Sequence, residues 1–320
     1  MTDVATAVPV GRSVHVRVPA SSANLGPGFD SVGLALGLWD DYVVTATDRA
    51  GLVVEVTGEG AAAVPTDESH LVVATMRHTW TRLGVRGAEG LHLRAVNGVP
   101  HGRGLGSSAT AIVAGVVAAQ ALSYAGELAP GDPVPFDVAL ANDIASRLEG
   151  HPDNASASVH GGLTVSWMPD GTSVDRSDLT VTARPGLHPD VDVVAFVPSS
   201  QLSTRTARAV LPATVPLGSA AAGAGRSALL VHALTAEPVH LHAATRDWLH
   251  QEARRASYPE TMALVDRLRG QGHAAFVSGA GPTVLVLTTT TAAPGVVADG
   301  AGWTRLTPGI THTGAVVTAR

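Results

Sequence analysis

Gly102-Arg103-Gly104-Leu105-Gly106-Ser107-Ser108-Ala109-Thr110 is the stretch from which the rest of this chain is read. It lies between a strand-like segment at 91–96 and an Ala/Val-rich segment at 109–125 whose composition predicts a buried helix. Its three glycines let the backbone come close to a ligand. The first amides of the helix that follows have no partner inside the helix. With the positive end of the helix dipole they favour an anion, most often phosphate. Ser107 and Ser108 also read as a plain N-cap pair. The two readings are compatible, because a cap and an anion site use the same amides.

Working outward, all 21 basic residues are arginine. The common loop G-x-x-x-x-G-K-[ST] needs a lysine for the terminal phosphates, so that loop is excluded. A triphosphate held here must rely on backbone amides, serine hydroxyls, arginine and a metal ion. The net charge of −6 offers no basic field for nucleic acid. The chain has no cysteine, which excludes disulfides, thiolate nucleophiles and zinc–thiolate sites. The uncharged stretch 109–126 is too rich in Ala and Gly, and carries too many polar residues (Thr110, Gln120, Ser123), to be read as a membrane span. Residues 1–12 lack the apolar core of a signal peptide.

Periodicity predicts strands at 13–18, 41–47, 52–58, 91–96 and 163–167, with a polar loop at 19–28. Helices are predicted at 69–83, 109–125 and 136–148. In the second half, strands are expected at 191–197, 274–278, 283–287 and 315–319. Helices are expected there at 204–210, 219–234, 240–255 and 260–271. Strands run in blocks rather than alternating with helices, which argues for an α+β fold over a doubly wound sheet. The chain divides into two domains, 1–165 and 166–320.

Three segments carry a more specific signal. They are Pro19-Ala20-Ser21-Ser22-Ala23-Asn24-Leu25-Gly26-Pro27-Gly28-Phe29-Asp30, the stretch 100–109, and Val277-Ser278-Gly279-Ala280-Gly281-Pro282-Thr283. In this order and spacing they resemble the superfamily of galactokinase, homoserine kinase, mevalonate kinase and phosphomevalonate kinase. The opening segment is most similar to the homoserine kinase branch, and the resemblance covers nearly the whole chain. It implies an N-terminal domain like ribosomal protein S5 domain 2, a C-terminal ferredoxin-like domain and an active site between them. It also implies ATP, Mg²⁺, transfer of the γ-phosphoryl group to the hydroxyl of L-homoserine, a cytoplasmic location and a homodimer. The acidic balance and the lack of a basic stripe argue against a nucleic-acid partner, and the composition of 109–126 against a membrane one.

The same resemblance implies roles for individual residues. Pro100, Gly102, Arg103, Gly104, Leu105, Gly106, Ser107, Ser108 and Ala109 form the ATP loop, and Ser108 also faces the metal. His70, where relatives carry Asn in an Asn-Leu-Val segment, would contact the adenine edge. An acidic metal ligand is expected eight residues before a His-x-Asp-Asn segment. Here that segment is His151-Pro152-Asp153-Asn154, and the position is Asp143, shorter than the Glu of relatives. Asp143 could instead pair with Arg147 one turn on, and Glu149 is the alternative ligand. Asn24 would contact the attacking hydroxyl, Asp30 the substrate ammonium, and His151 and Asn154 the same pocket. Thr204 and Arg208, and Arg254 in the segment Leu249-His250-Gln251-Glu252-Ala253-Arg254, would hold the carboxylate, for which arginine's planar fork is suited. Relatives read His-Gln-Pro-Tyr-Arg there, so Glu252-Ala253 is a departure. Gly279 would approach the substrate by its backbone. Arg205 and Arg255 read as solvated.

Without lysine, the Asp–Lys pair of mevalonate kinase-like members cannot exist here, and the resemblance to homoserine kinases implies in-line transfer driven by orientation and electrostatics, with no strong general base. Two alternatives stay open: a related kinase for a mevalonate- or sugar-type alcohol, and a catalytically silent relative acting as a ligand sensor.

Overall fold

The computed structural model describes residues 4–169, 179–298 and 302–320. Two sheets organise them. The larger has the order β11-β1-β2-β4-β3, made by β1 (Ser13–Asn24), β2 (Gly28–Thr47), β3 (Gly51–Gly58), β4 (Gly90–Asn97) and β11 (Val316–Ala319). β5 (Leu163–Trp167) and β6 (Val181–Ala183) extend it from β2. Period-2 alternation drives one set of side chains inward: Val14, Val16 and Val18 from β1, Tyr42, Val44 and Ala46 from β2, Leu91, Leu93 and Ala95 from β4. They pack against α1 (Leu71–Leu83), α2 (Ser107–Leu122), α3 (Val138–Glu149) and α4 (Asp153–His160). From Ala109 onward α2 is buried on nearly every side, as expected of a helix that is apolar all round.

The smaller sheet has the order β10-β7-β9-β8, from β7 (Val191–Pro198), β8 (Ala274–Val277), β9 (Val284–Thr289) and β10 (Trp303–Leu306). Numbered within the domain, this is 4-1-3-2, the ferredoxin-like order. One face packs Phe196, Val277, Val284 and Val286 against Met262, Leu264, Val265 and Leu268 of α8 (Pro259–Gly270). The other joins Val193, Ala195, Phe276 and Leu285 to Ala20, Leu34 and Leu36 of the larger sheet. That second core joins the two domains across their seam.

Three expectations are corrected. Residues 19–24 are not a loop: β1 runs through them, paired to β2 with register shifts at Pro19/Ala20 and Ala23/Asn24. The division at 165 does not hold as a contiguous cut. β5 and β6 belong to the first sheet, and the C-terminal β11 returns to pair with β1, Val14 opposite Ala319. The expected helix at 240–255 is broken into a 3-10 turn at Pro238–His240, α7 (Leu241–Ala244) and a second 3-10 turn at Glu252–Ser257. Between them the Asp247 carboxylate accepts from the amides of Leu249, His250 and Gln251, replacing the helical ladder with a side-chain turn. Among the described residues, no helix is long and apolar enough to cross a membrane.

Candidate active site

The Gly-rich loop leaves β4 and closes into α2 at Gly106, whose φ of 76° only glycine adopts readily. The first helical bond, Thr110 N to the Gly106 carbonyl at 2.8 Å, leaves the amides of Ser107, Ser108 and Ala109 outside the ladder. Three successive loop carbonyls are taken up by their surroundings. Arg103 O accepts from Thr283 N, Gly104 O from Ser278 Oγ at 2.6 Å, and Leu105 O from Ser21 N at 3.1 Å. A Cβ on Gly104 would lie 2.3 Å from the Ser278 carbonyl, so close approach to the 277–283 turn also demands glycine there. All three sequence segments therefore meet at this loop.

They enclose a cavity of ≈ 350 Å³ at the domain seam. Gly102, Gly104, Gly106, Ser107, Ser108 and Ala109 line one end. Asn24, Asp30, His151, Asn154, Arg208, Arg254 and Gly279 line the other. These were the residues expected from sequence. The Thr204 side chain lies outside the described residues. Pro100, Arg103 and Leu105 depart from expectation. Pro100 and Leu105 are buried away from the cavity, Leu105 within the interdomain core. The Arg103 guanidinium donates to the carbonyls of Pro198, His101 and Ser199, tying the loop to β7 rather than reaching a phosphate.

Asp143 is the principal correction. It is fully buried, accepts from Arg147 Nε with both oxygens at 3.0 Å, and takes Thr180 N and Oγ1 on Oδ1. It does not line the cavity. Glu149, the last residue of α3, does line it, with Ser108 Oγ donating to Oε1 at 2.6 Å. Gly150 ends α3 in the left-handed conformation and leaves Glu149 facing the loop. Burial pushes the Glu149 carboxyl above its ordinary value, against the Ser108 hydrogen bond and the His151 charge. A carboxylate and a hydroxyl in contact, both oxygen donors at the mouth of an amide-lined loop, fit a hard cation.

The opposite end is built from charge. Both Asp30 oxygens accept from Arg208, at 3.0 Å from Nη1 and 2.7 Å from Nη2. Asp30 itself sits at φ 55°, its N–H donating to Asn24 Oδ1 at 3.1 Å, while Asn24 Nδ2 donates to the Gly279 carbonyl at 3.0 Å. Asn24 thus fixes the turn and the 277–283 loop at once. Asp30's hydrogen bond pushes the Arg208 guanidinium to a higher pKa, outweighing burial. Arg254 is buried, its Nε donating to the Ala207 carbonyl at 2.9 Å. Its Nη1 lies 3.0 Å from His250 Nδ1. His250 Nε2 lies 2.8 Å from the Gly26 carbonyl, which assigns the proton to Nε2 and leaves Nδ1 to accept from Arg254. Phe29 stacks on His250 and lies under both Arg208 and Arg254. As expected, Arg255 stays outside, bound to Glu252 and Asp266.

His151 Nδ1 pairs with Asp153 Oδ1 at 2.6 Å, and the same oxygen accepts from Asn154 N at 2.7 Å. Burial opposes a charged His151, but the Asp153 hydrogen bond with the charges of Asp153, Glu149 and Asp30 outweighs it, and the ring's pKa is raised. Sequence reasoning did not single out Phe29, Asp153 or His250 as parts of the site, although all three sit inside the motifs it quoted. His70 lies outside the main cavity, in an adjoining pocket of ≈ 270 Å³ that shares Gly102, Ser107 and Ser108 with it. Its Nδ1 is buried with no hydrogen-bond partner, and desolvation lowers the ring's pKa.

Comparison with known proteins agrees with this geometry. Residues 70–162 match the GHMP kinases N terminal domain and 227–300 the GHMP kinases C terminal domain. The chain is 47% identical to a homoserine kinase of Streptomyces coelicolor over 95% of its own length and 94% of the relative's. It is 49% identical to one of Cutibacterium acnes, over 86% and 88%. In fold it resembles the crystal structure of homoserine kinase from Cytophaga hutchinsonii, with a TM-score of 0.79 at 24% identity over 95% of this chain and 97% of that one. With these matches and a cavity that joins an amide-lined Gly-rich loop to an Asp–Arg–Arg pocket, the chain belongs to the homoserine kinase family of GHMP kinases.

Proposed function

We propose that the protein transfers the γ-phosphoryl group of ATP to the hydroxyl of L-homoserine, giving O-phospho-L-homoserine on the route to threonine. One observation carries the reading: free helix-start amides and an Asp30–Arg208–Arg254 set share one cavity of ≈ 350 Å³. A zwitterionic amino acid needs an anion for its ammonium and a cationic fork for its carboxylate. Mevalonate has a carboxylate but no ammonium and a sugar has neither, so neither uses Asp30 and the two arginines together, which disfavours the mevalonate- and sugar-type alternative. The intact loop with Ser108 and Glu149 disfavours the silent sensor.

The phosphates rest on the amides of Ser107, Ser108 and Ala109, and adenine enters the adjoining pocket, where His70 Nδ1 awaits a partner. Ser108 Oγ and Glu149 would hold Mg²⁺, with Asp143 withdrawn from that role. When bound, the ion neutralises charge that develops on the transferring phosphoryl group. Asp30 takes the ammonium, while Arg208 and Arg254 take the carboxylate. Asn24 and Asn154 orient the hydroxyl. Its oxygen attacks the γ-phosphorus in line, the bond from that phosphorus to the ADP oxygen breaks, and the proton leaves to the transferred group or to water. His151 is biased toward its charged form by three carboxylates, so it is poorly suited to take that proton and better suited to donate. Orientation and electrostatic preorganisation supply the acceleration. A cytoplasmic homodimer belongs to the same reading and rests on the family resemblance alone.

A panel of alcohols with ATP and Mg²⁺ tests this reading by ADP release and phosphorus NMR of the product. L-Homoserine should be phosphorylated, and 4-hydroxybutyrate or 3-aminopropanol hardly at all. Phosphorylation of mevalonate but not L-homoserine would overturn it.

A further inference from the structure

Asp40 lies on β2, fully buried, and plays no part in the chemistry described so far. Its carboxylate nonetheless touches both limbs of the Gly-rich loop. Oδ1 accepts from the backbone amides of Gly98 and Val99, each at 2.9 Å, where the chain leaves β4 to enter the loop. Oδ2 accepts from Thr110 Oγ1 at 2.6 Å, in the first turn of α2, where the loop ends. The Tyr42 hydroxyl donates to the same Oδ2 at 3.1 Å, and Tyr42 lines the pocket that also holds His70. No ion pair to Asp40 occurs among the described residues; its partners are four neutral donors. A carboxylate has lone pairs for all of them and no donor of its own, so it bonds on both sides at once.

A charged group buried without a counter-ion is costly. Its place here follows from what it joins. Residues 98–106, between β4 and α2, are a glycine-rich segment with little stiffness of their own. Their free amides act on a phosphate only if the two ends of the segment stay at a fixed separation. Leu105 and Arg103 anchor the middle, whereas Asp40 sets the ends. Thr110 Oγ1 also lies 2.9 Å from the Ser107 carbonyl. Without Asp40, the hydroxyl would turn wholly to that carbonyl, and the loop's exit would lose its tie to its entrance.

We propose that Asp40 is a positioning residue for the nucleotide, a clamp between the entry and exit of the phosphate loop that keeps the amides of Ser107 to Ala109 preorganised. This inference rests on the phosphate-loop reading above. Asp40 touches no substrate and acts through Gly98, Val99 and Thr110. Its removal therefore weakens the nucleotide half of the site and spares the amino-acid half, a split that general loss of stability does not produce.

The test uses the full chain with the variants Asp40→Ala, Asp40→Asn and Thr110→Val, reading ADP affinity by calorimetry and homoserine KM by turnover. Asp40→Ala should weaken ADP binding by about tenfold to a hundredfold, the scale of losing hydrogen bonds to a buried charged group. Homoserine KM should stay within about twofold, since the Asp30–Arg208–Arg254 set makes no bond to Asp40. Asp40→Asn keeps an acceptor for Gly98 and Val99 and should recover part of the loss. Thr110→Val should weaken ADP by about threefold to tenfold, since it removes one hydroxyl. The Asp40→Asn/Thr110→Val pair should lose less than the product of its singles, because both cut the same bond. If Asp40→Ala does not fold, the other two variants carry the test. Folded Asp40→Asn and Thr110→Val proteins with wild-type ADP affinity, or with both substrates weakened alike, would overturn the clamp while leaving the kinase reading intact. A wild-type protein that binds no ADP would overturn that reading and the clamp with it.

Discussion

The two ends of the cavity solve the same problem, holding a charged ligand, by opposite means. The nucleotide end uses almost no formal positive charge. It has main-chain amides, glycines forced into left-handed conformations and the Ser108–Glu149 pair, and its one arginine, Arg103, is turned away to carbonyls of β7. The amino-acid end is dense with charge: Asp30 on Arg208, Arg254 beside His250, His151 on Asp153. The difference teaches where each end is vulnerable. A backbone site depends on conformation and fails when a glycine gains a side chain. A charged site depends on matched partners and fails by degrees, with pH and with the ligand's own charges.

That contrast breaks most sharply at Gly104. A Cβ there meets the Ser278 carbonyl at 2.3 Å and needs a φ of 76°. Gly104→Ala should lower kcat/KM for ATP by about a hundredfold or more, by displacing the loop from its phosphate geometry. Calorimetry should show ADP binding lost with homoserine binding kept. Equal loss of both would merge the two ends into one unit.

Glu149→Gln comes next and sharpens the metal assignment against Asp143. It should cut kcat by about a hundredfold, as loss of a charge that holds a catalytic cation does. Asp143→Asn should instead cost about 2 kcal/mol of stability through its bonds to Arg147 and Thr180, with kcat of the folded protein unchanged. Thermal melts beside ADP-release kinetics separate the two. The reverse pattern would restore Asp143 as the ligand.

At the charged end, Asp30→Asn and Arg208→Gln should each raise homoserine KM by about tenfold to a hundredfold, the worth of a charge-assisted pair. ATP KM should move by less than about twofold in steady-state kinetics, since the two ends bind separately. A turnover loss of about a thousandfold or more in Asp30→Asn with normal homoserine affinity would make Asp30 a base instead.

The smallest effect is on pH. Burial raises the Glu149 pKa, so its carboxyl takes up a proton at a higher pH than an ordinary glutamate. The ionised form accepts from Ser108 and would hold Mg²⁺, so kcat/KM falls as pH drops through that raised value. A bound cation favours the carboxylate, so more Mg²⁺ should move the acid limb to lower pH. A limb indifferent to Mg²⁺ would assign it to another group.

Much of this was legible in the sequence, and the failures have physical causes. The loop, the buried helix after it and the His151–Asn154 segment are local features whose residues signal their own geometry. Asp143 stands eight residues before His151, but spacing along the chain does not say which way a side chain faces. The angle at which α3 ends, set by Gly150, presents its last residue and not the one six earlier. The stretch 19–24 looked like a loop because it is polar and glycine-flanked. Yet Ser21 and Ser22 are wholly buried, their hydroxyls spent on Asn154 and Ser278, partners more than a hundred residues away. The missed return of β11 to β1 is of the same kind, since nothing in 315–319 says which edge it will meet.

By itself, the sequence determined that a glycine-rich loop with free helix-start amides follows β4, that lysine has no part in it, and that three separated motifs belong to one α+β kinase. Those properties reside in glycine's freedom, helix-start amides and residue composition, all short-range. Tertiary structure alone decided which acid faces Ser108, which arginine meets Asp30 and what fastens the loop at both ends. Each of these is a contact between elements far apart in the chain, and a hydrogen bond reaches only about 3 Å. Such contacts exist only after both sheets have packed and their helices have settled at final angles.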